Sequence, residues 1–575
     1  MYFGNVHPCT RRFLRPSCDV SRLHKVMTQL NKHSHFFIFG EFVVRSIKKM
    51  LPTDEVVMLS RFQFGLTALY HFLFVPLTLG LSTLLGIMET VYFITNRPIW
   101  RTMTKYWGLL FGINIAMGIA TGVTLEFQFG TNWAYYSHYV GDVFGTPLAI
   151  EGLMAFFLEA TFAGIFFFGW DRVSKGAHLL STWMLAAGSS FSALWILVAN
   201  AWMQNPVGAR FNFHTMRMEL NNFYSVFFNE VAQAKFVHTI SAGYVTGSMF
   251  VLSISAYFLL RGRCVAFAKR SMTVAAAFGL ASALCVVVLG DESGYLAGLN
   301  QKMKVAAIEG MWETEPAPAA LNLIGMPDQT LKETRYTIKI PYLLGLIATR
   351  SINQPVYGIN DLVEEARHRV QSGMLAYGAL DTLLKDPTDK RAENLLDANQ
   401  ENIGYGLLLK KYTDDVVKAT PAQIDQAAWN TVPDVFTLFW TFRVMVACGL
   451  FFIALFALAF YLAVRRRLIK YRWFLWTAFL SLPLPWLAAE MGWIVAEYGR
   501  QPWVVDGLLP TFMGVSSVSA SSVWISLSGF ILFYTALAVV EIFLMMKYIR
   551  LGPTALFQAE DFNVRPEKAF SIRKV

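Results

Sequence analysis

Apolar residues gather along the chain into nine blocks, near 62–93, 106–127, 148–170, 177–202, 231–260, 271–290, 435–464, 473–497 and 522–547. At roughly 20 residues, each block can cross a hydrocarbon core about 30 Å thick, and each is predicted to be a membrane-spanning α-helix. Six precede, and three follow, one long polar stretch from about Gly290 to Pro433. The pattern predicts an all-α fold: a polytopic membrane bundle of nine transmembrane helices with one large extracytoplasmic loop between helices 6 and 7. Its expected divisions are a basic N-terminal extension (1–57), helices 1–6 (58–290), the loop (291–434), helices 7–9 (435–548) and a cytoplasmic tail (549–575). Within the loop, Asp361 to Leu384 reads as an amphipathic helix without a catalytic signature, which suits a scaffold or lid.

Composition agrees, since 55% hydrophobic and 15% charged residues over 575 positions argue against a soluble enzyme. The net charge of +10 would suggest a nucleic-acid partner, but residues 1–50 hold nine Lys/Arg against Asp19 and Glu41, so +7 of it lies in the leader. No nucleic-acid partner is expected. That leader lacks a signal-peptide core, and Met50 and Met58 stand just ahead of the first apolar block, leaving open both a targeting segment and an over-extended start. Basic clusters at Arg97/Arg101/Lys105, Arg172/Lys175, Arg261/Arg263/Lys269/Arg270, Arg465–Arg467/Lys470 and Lys547/Arg550 fall on one side of the predicted bundle. The positive-inside rule makes that side cytoplasmic, with the N-terminus and the long loop outside and the C-terminus inside. Five cysteines with no CxxC or CxxCH spacing give no zinc site, disulfide framework or covalent haem attachment.

Of ten histidines only His71 and His238 sit inside apolar blocks, and ionisable groups at membrane depth are functional candidates because burying them is costly. His238 lies seven positions from the outer end of its block and Met445 ten from the outer end of its own, so at about 1.5 Å per residue the two reach similar depth. Histidine and methionine on opposite faces of a haem make a six-coordinate electron-transfer centre, although a methionine in a span is usually packing. Arg443, two residues before Met445, needs an anion, and a haem propionate would serve. Glu126, Glu151, Glu159, Glu490 and Glu497 lie in or at the ends of spans. On an uninterrupted α-helix, Glu151 and Glu159 stand about 80° and 12 Å apart, a spacing suited to relaying protons. Arg500 beside Glu497 keeps that carboxylate ionised, which fits a structural pair or an unusual iron ligand.

These residues sit within longer runs: LTALYHFLFVPLTLG (Leu66–Gly80), LEFQFGTNWAYYSHYVGD (Leu125–Asp142), PLAIEGLMAFFLEATF (Pro147–Phe162), ALWILVANAWMQNP (Ala193–Pro206), AKFVHTISAGYVTG (Ala234–Gly247), GDESGY (Gly290–Tyr295), GYGLLLK (Gly404–Lys410), FRVMVACG (Phe442–Gly449) and AEYGRQPW (Ala496–Trp503). Over Met58 to about Pro553 the chain resembles subunit I of the cytochrome bd-type ubiquinol oxidases, in the branch with a long quinol loop. The resemblance implies His238 and Met445 as axial ligands of low-spin haem b, with Arg443 beside it. It implies His71 as ligand of a high-spin haem, haem d in the enterobacterial type, and Glu497 as ligand of high-spin haem b, with Trp493 and Arg500 nearby. A related branch exchanges the two high-spin positions, so that assignment stays open. Glu126, Glu151 and Glu159 would lie near the haems and along a proton route. Lys304 and Glu309, ordinary exposed-loop residues by composition, become candidates for quinol oxidation.

The implied activity is oxidation of ubiquinol or menaquinol at the outer face and reduction of O₂ to water. Protons would leave outward and be taken up from the cytoplasm, generating a proton-motive force without pumping. The implied partners are a second membrane subunit, a possible small single-helix accessory subunit and the lipid bilayer, and the implied location is a bacterial inner membrane. A quinol oxidase carrying only b haems, a quinol:acceptor subunit that does not reduce O₂ and a proton-coupled transporter remain as alternatives, separable by colour and by oxygen uptake.

Overall fold

The computed structural model describes residues 52–556. The predicted extension and tail therefore lie largely outside the described residues. Nine helices among those described are long and apolar enough to cross a membrane: Asp54–Thr95, Pro98–Thr131, Ala134–Phe168, Lys175–Gln204, Phe223–Leu260, Val265–Asn300, Val435–Val464, Arg472–Tyr498 and Ala520–Leu551, called spans one to nine. The fold is the all-α bundle expected. Three short antiparallel hairpins are the only sheets among the described residues, and each has two strands.

Span ends differ from those set by hydropathy, because helical hydrogen bonding outlasts the apolar run. Span one starts at Asp54, where the Thr53 hydroxyl accepts from the Val56 amide, so the first turns lie upstream of residue 58. Span three starts at Ala134 instead of 148. Span six continues ten residues past Gly290 to Asn300, with Ser293 and Asn300 donating to the carbonyls one turn back. The polar GDESGY run is therefore helix and not loop, and Arg350 returns from the loop to pair with Asp291 and Glu292.

Two spans are broken where the chemistry collects. Span one is interrupted at Leu73–Phe74 between the helices Asp54–Phe72 and Val75–Thr95. Pro76 supplies no amide to the preceding turn, and neighbouring spans bond to the carbonyls at the break: Leu73 accepts from Trp486 Nε1 at 2.7 Å, and Phe74, already bonded to the Thr78 amide, accepts also from Asn114 Nδ2 at 2.8 Å. Span eight breaks at Ser481–Pro483 and ends in a π-helical turn, Ile494–Tyr498. A second π-turn, Glu151–Phe156, sits within span three. Such turns insert a residue into the α-helical phase and recur at functional sites.

The densest packing lies toward the Lys/Arg-rich ends, where Leu85, Trp107, Phe111, Phe258, Phe267 and Phe456 are buried from spans one, two, five, six and seven. Spans one and five touch backbone to backbone, since a Cβ on Gly80 would stand 2.3 Å from the Gly243 carbonyl oxygen. Small residues allow that approach in membranes, where dispersion contacts drive helix association. The segment between spans six and seven folds on the opposite end as the short helix Lys302–Glu309, the hairpin Leu321–Asp328/Glu333–Ile340, the amphipathic helix Ile359–Lys385 and further short helices to Pro421–Trp429. Ile359, Leu362, Val363 and Ala366 of the amphipathic helix bury against Ala306, Ala307 and Leu438, so its apolar face clamps the short helix onto span seven.

Candidate functional site

His238 from span five and Met445 from span seven line one cavity of about 290 Å³, together with Phe72, Trp493 and Lys304. Depth pairing from the sequence thus finds its counterpart in a shared wall. The Nδ1 of His238 is buried without a hydrogen-bond partner among the described residues, a state that costs free energy unless another group satisfies it. The Met445 sulfur lies 3.1 Å from where a Cβ on Gly492 would stand. Gly492→Ala is accordingly expected to displace the thioether, a shift that an absorption spectrum of the purified protein would register for any chromophore the sulfur ligates.

His71 occupies the last turn before the break in span one. Its Nδ1 lies 2.9 Å from Thr121 Oγ1, and that hydroxyl is within reach of the Met117 and Gly118 carbonyls. With the hydroxyl hydrogen directed to a carbonyl, Thr121 accepts from Nδ1–H and leaves Nε2 with a free lone pair, the arrangement that orients a ligating histidine. Next to it, Phe72 meets Trp493 edge-on at 5.1 Å, joining the His71 turn to span eight.

Glu497 sits in the π-turn at the centre of a charge cluster. Arg500 reaches its Oε2 at 2.8 Å, while Asn200 and Gln204 donate to Oε1 at 3.1 Å and Lys235 at 3.3 Å. Lys235 also bonds Asn200 and lies 5.0 Å over the Trp493 ring. Lys304 joins from the short helix, donating to Gln204, Gln301 and the Ala496 carbonyl at 2.8, 2.7 and 2.9 Å. Although enclosed by protein, Glu497 keeps 30% side-chain accessibility, so it faces internal space. The Nε and Nη1 of Arg500 are buried without partners among the described residues. Unspent guanidinium hydrogens of this kind suit an anionic partner.

Arg443 finds a different anion from the one expected. Its Nη2 reaches Glu309 Oε2 at 3.2 Å, Nε donates to the Asn322 and Leu323 carbonyls at 2.9 and 3.0 Å, and Nη1 to those of Ile308 and Phe439 at 2.8 Å. The protein therefore neutralises this guanidinium itself, through the loop. Composition would have left Lys304 and Glu309 in solvent, whereas they are 7% and 2% exposed. Their helix packs under Ile359–Lys385, while Gln204 and Ala496 enclose Lys304 and Arg443 and Asn322 enclose Glu309. Burial lowers the Lys304 pKa, with the Glu497 charge opposing it, and raises that of Glu309, with Arg443 opposing it. The two residues do not share a site: Lys304 points to Glu497 and Glu309 to Arg443.

The carboxylates of span three meet span four. Ser192 donates to Glu151 at 2.6 Å and Ser189 to Glu159 at 2.5 Å. The π-turn between the two glutamates alters the 80° phase worked out for an unbroken α-helix, and both carboxylates face serines one turn apart. Glu126 on span two is within electrostatic reach of Glu151. Glu490 has both oxygens buried without a partner among the described residues.

Sequence reasoning passed over Lys235, Asn200, Gln204 and Asp506, which surround Glu497 and Lys304. Lys235 carried a usable signal, a lysine three residues before His238 in an apolar run. Buried Glu89 and His178 were likewise missed, His178 because it was assigned to a span edge.

Nine spans with a cavity between them that His238 and Met445 line define a polytopic membrane protein with room for a prosthetic group between its helices. The chain belongs to the family of cytochrome bd terminal oxidase subunit I, whose family model matches residues 59–553. It is 48% identical over 502 residues to cytochrome bd-II ubiquinol oxidase subunit 1 of Escherichia coli (strain K12), covering 87% of this chain and 98% of that one. It is 35% identical to cytochrome bd ubiquinol oxidase subunit 1 of Bacillus subtilis (strain 168), covering 86% and 94%. The fold matches the structure of bd oxidase from Geobacillus thermodenitrificans with a TM-score of 0.70 at 24% identity, covering 87% and 99%.

Proposed function

We propose that this chain is the haem-carrying, quinol-oxidising subunit of an electrogenic quinol:O₂ oxidoreductase in a bacterial inner membrane. The observation that carries the reading is the cavity shared by His238, Met445, Trp493 and Lys304, roofed by a loop whose Glu309 is locked to Arg443 two residues from Met445. His238 and Met445 would hold low-spin haem b. His71 would hold a high-spin haem, of d type, and Glu497 a high-spin b haem whose propionate Arg500 would meet. When bound, the haems supply one-electron transfer and reduction of O₂ to water.

The protein's own groups place substrate and protons. Glu309, buried and paired with Arg443, accepts a quinol hydroxyl proton as the quinol is oxidised. Lys304 stands apart from Glu309, and its positive charge supports the Glu497 cluster instead. The Lys/Arg-rich ends face the cytoplasm, so protons released at the loop leave outward. Glu159 and Glu151 pass protons inward to the oxygen site, with Glu126 beside them. The electron donor is ubiquinol or menaquinol. A second membrane subunit covers part of the lipid-level surface, and a small single-helix subunit is a further candidate partner.

A reduced-minus-oxidised spectrum of the purified complex, with oxygen uptake driven by a short-chain quinol, tests the reading. Low-spin and high-spin haem bands with quinol-dependent uptake are expected, and a colourless preparation or one without uptake would overturn it. Glu309→Gln keeps the acceptor for the Asn322 amide (3.2 Å) but removes the base. It should lower kcat/KM for quinol by about 10²-fold with the haem spectrum unchanged, and normal turnover would clear Glu309 of that role.

A further inference from the structure

Outside the site described, the most deeply buried pairing of ionisable side chains joins spans one and four at their Lys/Arg-rich ends. Glu89 and His178 are each 2% exposed. His178 Nδ1 lies 2.6 Å from Glu89 Oε1, and Nε2 lies 3.1 Å from the Phe166 carbonyl oxygen of span three. The Thr182 hydroxyl reaches Glu89 Oε2 at 2.5 Å. A carbonyl only accepts, so Nε2 carries a hydrogen. The line between Nδ1 and Oε1 then holds one proton, whether the pair is imidazolium with carboxylate or imidazole with carboxylic acid. Both descriptions are neutral overall and differ only in where that proton rests, which is what a transfer station requires.

Its surroundings give the station two ends. Outward, the Trp170 ring lies 4.0 Å from the His178 ring, and Arg101 and Lys105 cover that indole at 5.5 and 5.1 Å. Arg101 pairs with exposed Asp171 at 2.8 Å, so the basic surface begins one ring away from the buried pair. Inward, span four presents His178, Thr182, Ser189 and Ser192 at steps of four, seven and three residues, which keeps them on one helix face. The last two serines are those that bond Glu159 and Glu151. From Thr182 to Ser189 the rise is about 10 Å, past buried Leu185, so transfer between them requires water to enter that stretch during turnover.

We propose that Glu89, His178 and Thr182 form the proton-loading station through which protons from the Lys/Arg-rich face enter the route to Glu159 and Glu151. Each passage takes up one proton at the pair and releases one along span four, exchanging N–H and O–H bonds with no net change in the residues. The proposal rests on the oxidase reading, in which oxygen reduction consumes protons from that face. Glu89 and His178 act through Glu159 and are positioning residues in this sense, since they touch no reacting atom of quinol or O₂.

The test uses the purified complex carrying Glu89→Gln, Glu89→Asp or Thr182→Val. Glu89→Gln should lower oxygen uptake about tenfold or more with the haem spectrum and KM for quinol unchanged. It should also raise the solvent deuterium isotope effect on turnover and remove a deuterium-sensitive carboxyl band from the redox infrared difference spectrum. Glu89→Asp should recover part of the rate. Thr182→Val removes one hydroxyl and serves if Glu89→Gln does not assemble, with a smaller loss and the same rise in isotope effect. A purely structural pair would lower yield or melting temperature while rate per haem and isotope effect stayed at the unaltered values, and that result in either variant overturns the proposal. Absence of oxygen uptake in the unaltered complex would instead sink the oxidase reading, and this proposal with it.

Discussion

His238→Ala is expected to remove the low-spin haem b band from the reduced-minus-oxidised spectrum and to lower quinol-driven oxygen uptake by at least about a hundredfold. That figure is the upper end of what losing even an outer partner of a metal ligand costs. The size of the effect follows from position: His238 shares its cavity wall with Met445, and its Nδ1 has no hydrogen-bond partner among the described residues. The high-spin bands should survive. His71 is fixed by Thr121 on span two and Glu497 by Arg500, Asn200, Gln204 and Lys235, and none of these bonds passes through His238. Met445→Leu should reproduce the spectral change with a smaller loss of protein, because leucine fills nearly the same volume. Retention of the low-spin band in both variants would assign its iron to other residues.

Much of this was legible in the sequence because lipid leaves few options: a backbone crossing hydrocarbon must be helical, so nine apolar blocks give nine spans. His71, His238 and Glu497 stood out for a related reason, as ionisable groups where burial is costly. What stayed illegible depends on tertiary cover. Lys304 and Glu309 lie in a run with loop composition, and what buries them comes from distant parts of the chain: Gln204 and Ala496 around Lys304, Arg443 and Asn322 around Glu309. Periodicity likewise assumes an unbroken α-helix, so it could not show that a π-turn brings Glu151 and Glu159 to the same partner span, nor that Glu497 sits in another. Arg443 had an anion in prospect, but hydropathy and spacing could not say that the loop supplies one 134 positions away. Glu89 carried the same signal as the other intramembrane carboxylates and could have been found by it.

Glu497→Ala should produce the largest loss of assembled protein of any single change here. The substitution leaves the Lys235 and Arg500 cations without the carboxylate that both contact, and Lys304 with Asp506 as its remaining counter-charge. Breaking a buried pair by removing one partner costs on the order of 3–5 kcal/mol, a large fraction of a typical stability of about 5–15 kcal/mol. Glu497→Gln isolates the charge from the shape. It keeps an oxygen for Asn200 and Gln204, yet it still leaves the cations unneutralised, so most of the loss should remain. Pairing it with Lys235→Met removes one cation along with the carboxylate charge, and part of the yield and melting temperature should return. The high-spin b haem should not return with them, because its proposed ligand is absent. Recovery of stability without that band separates the structural work of the cluster from its ligand role. Recovery of both would show that Glu497 holds the cations together and another residue holds the iron.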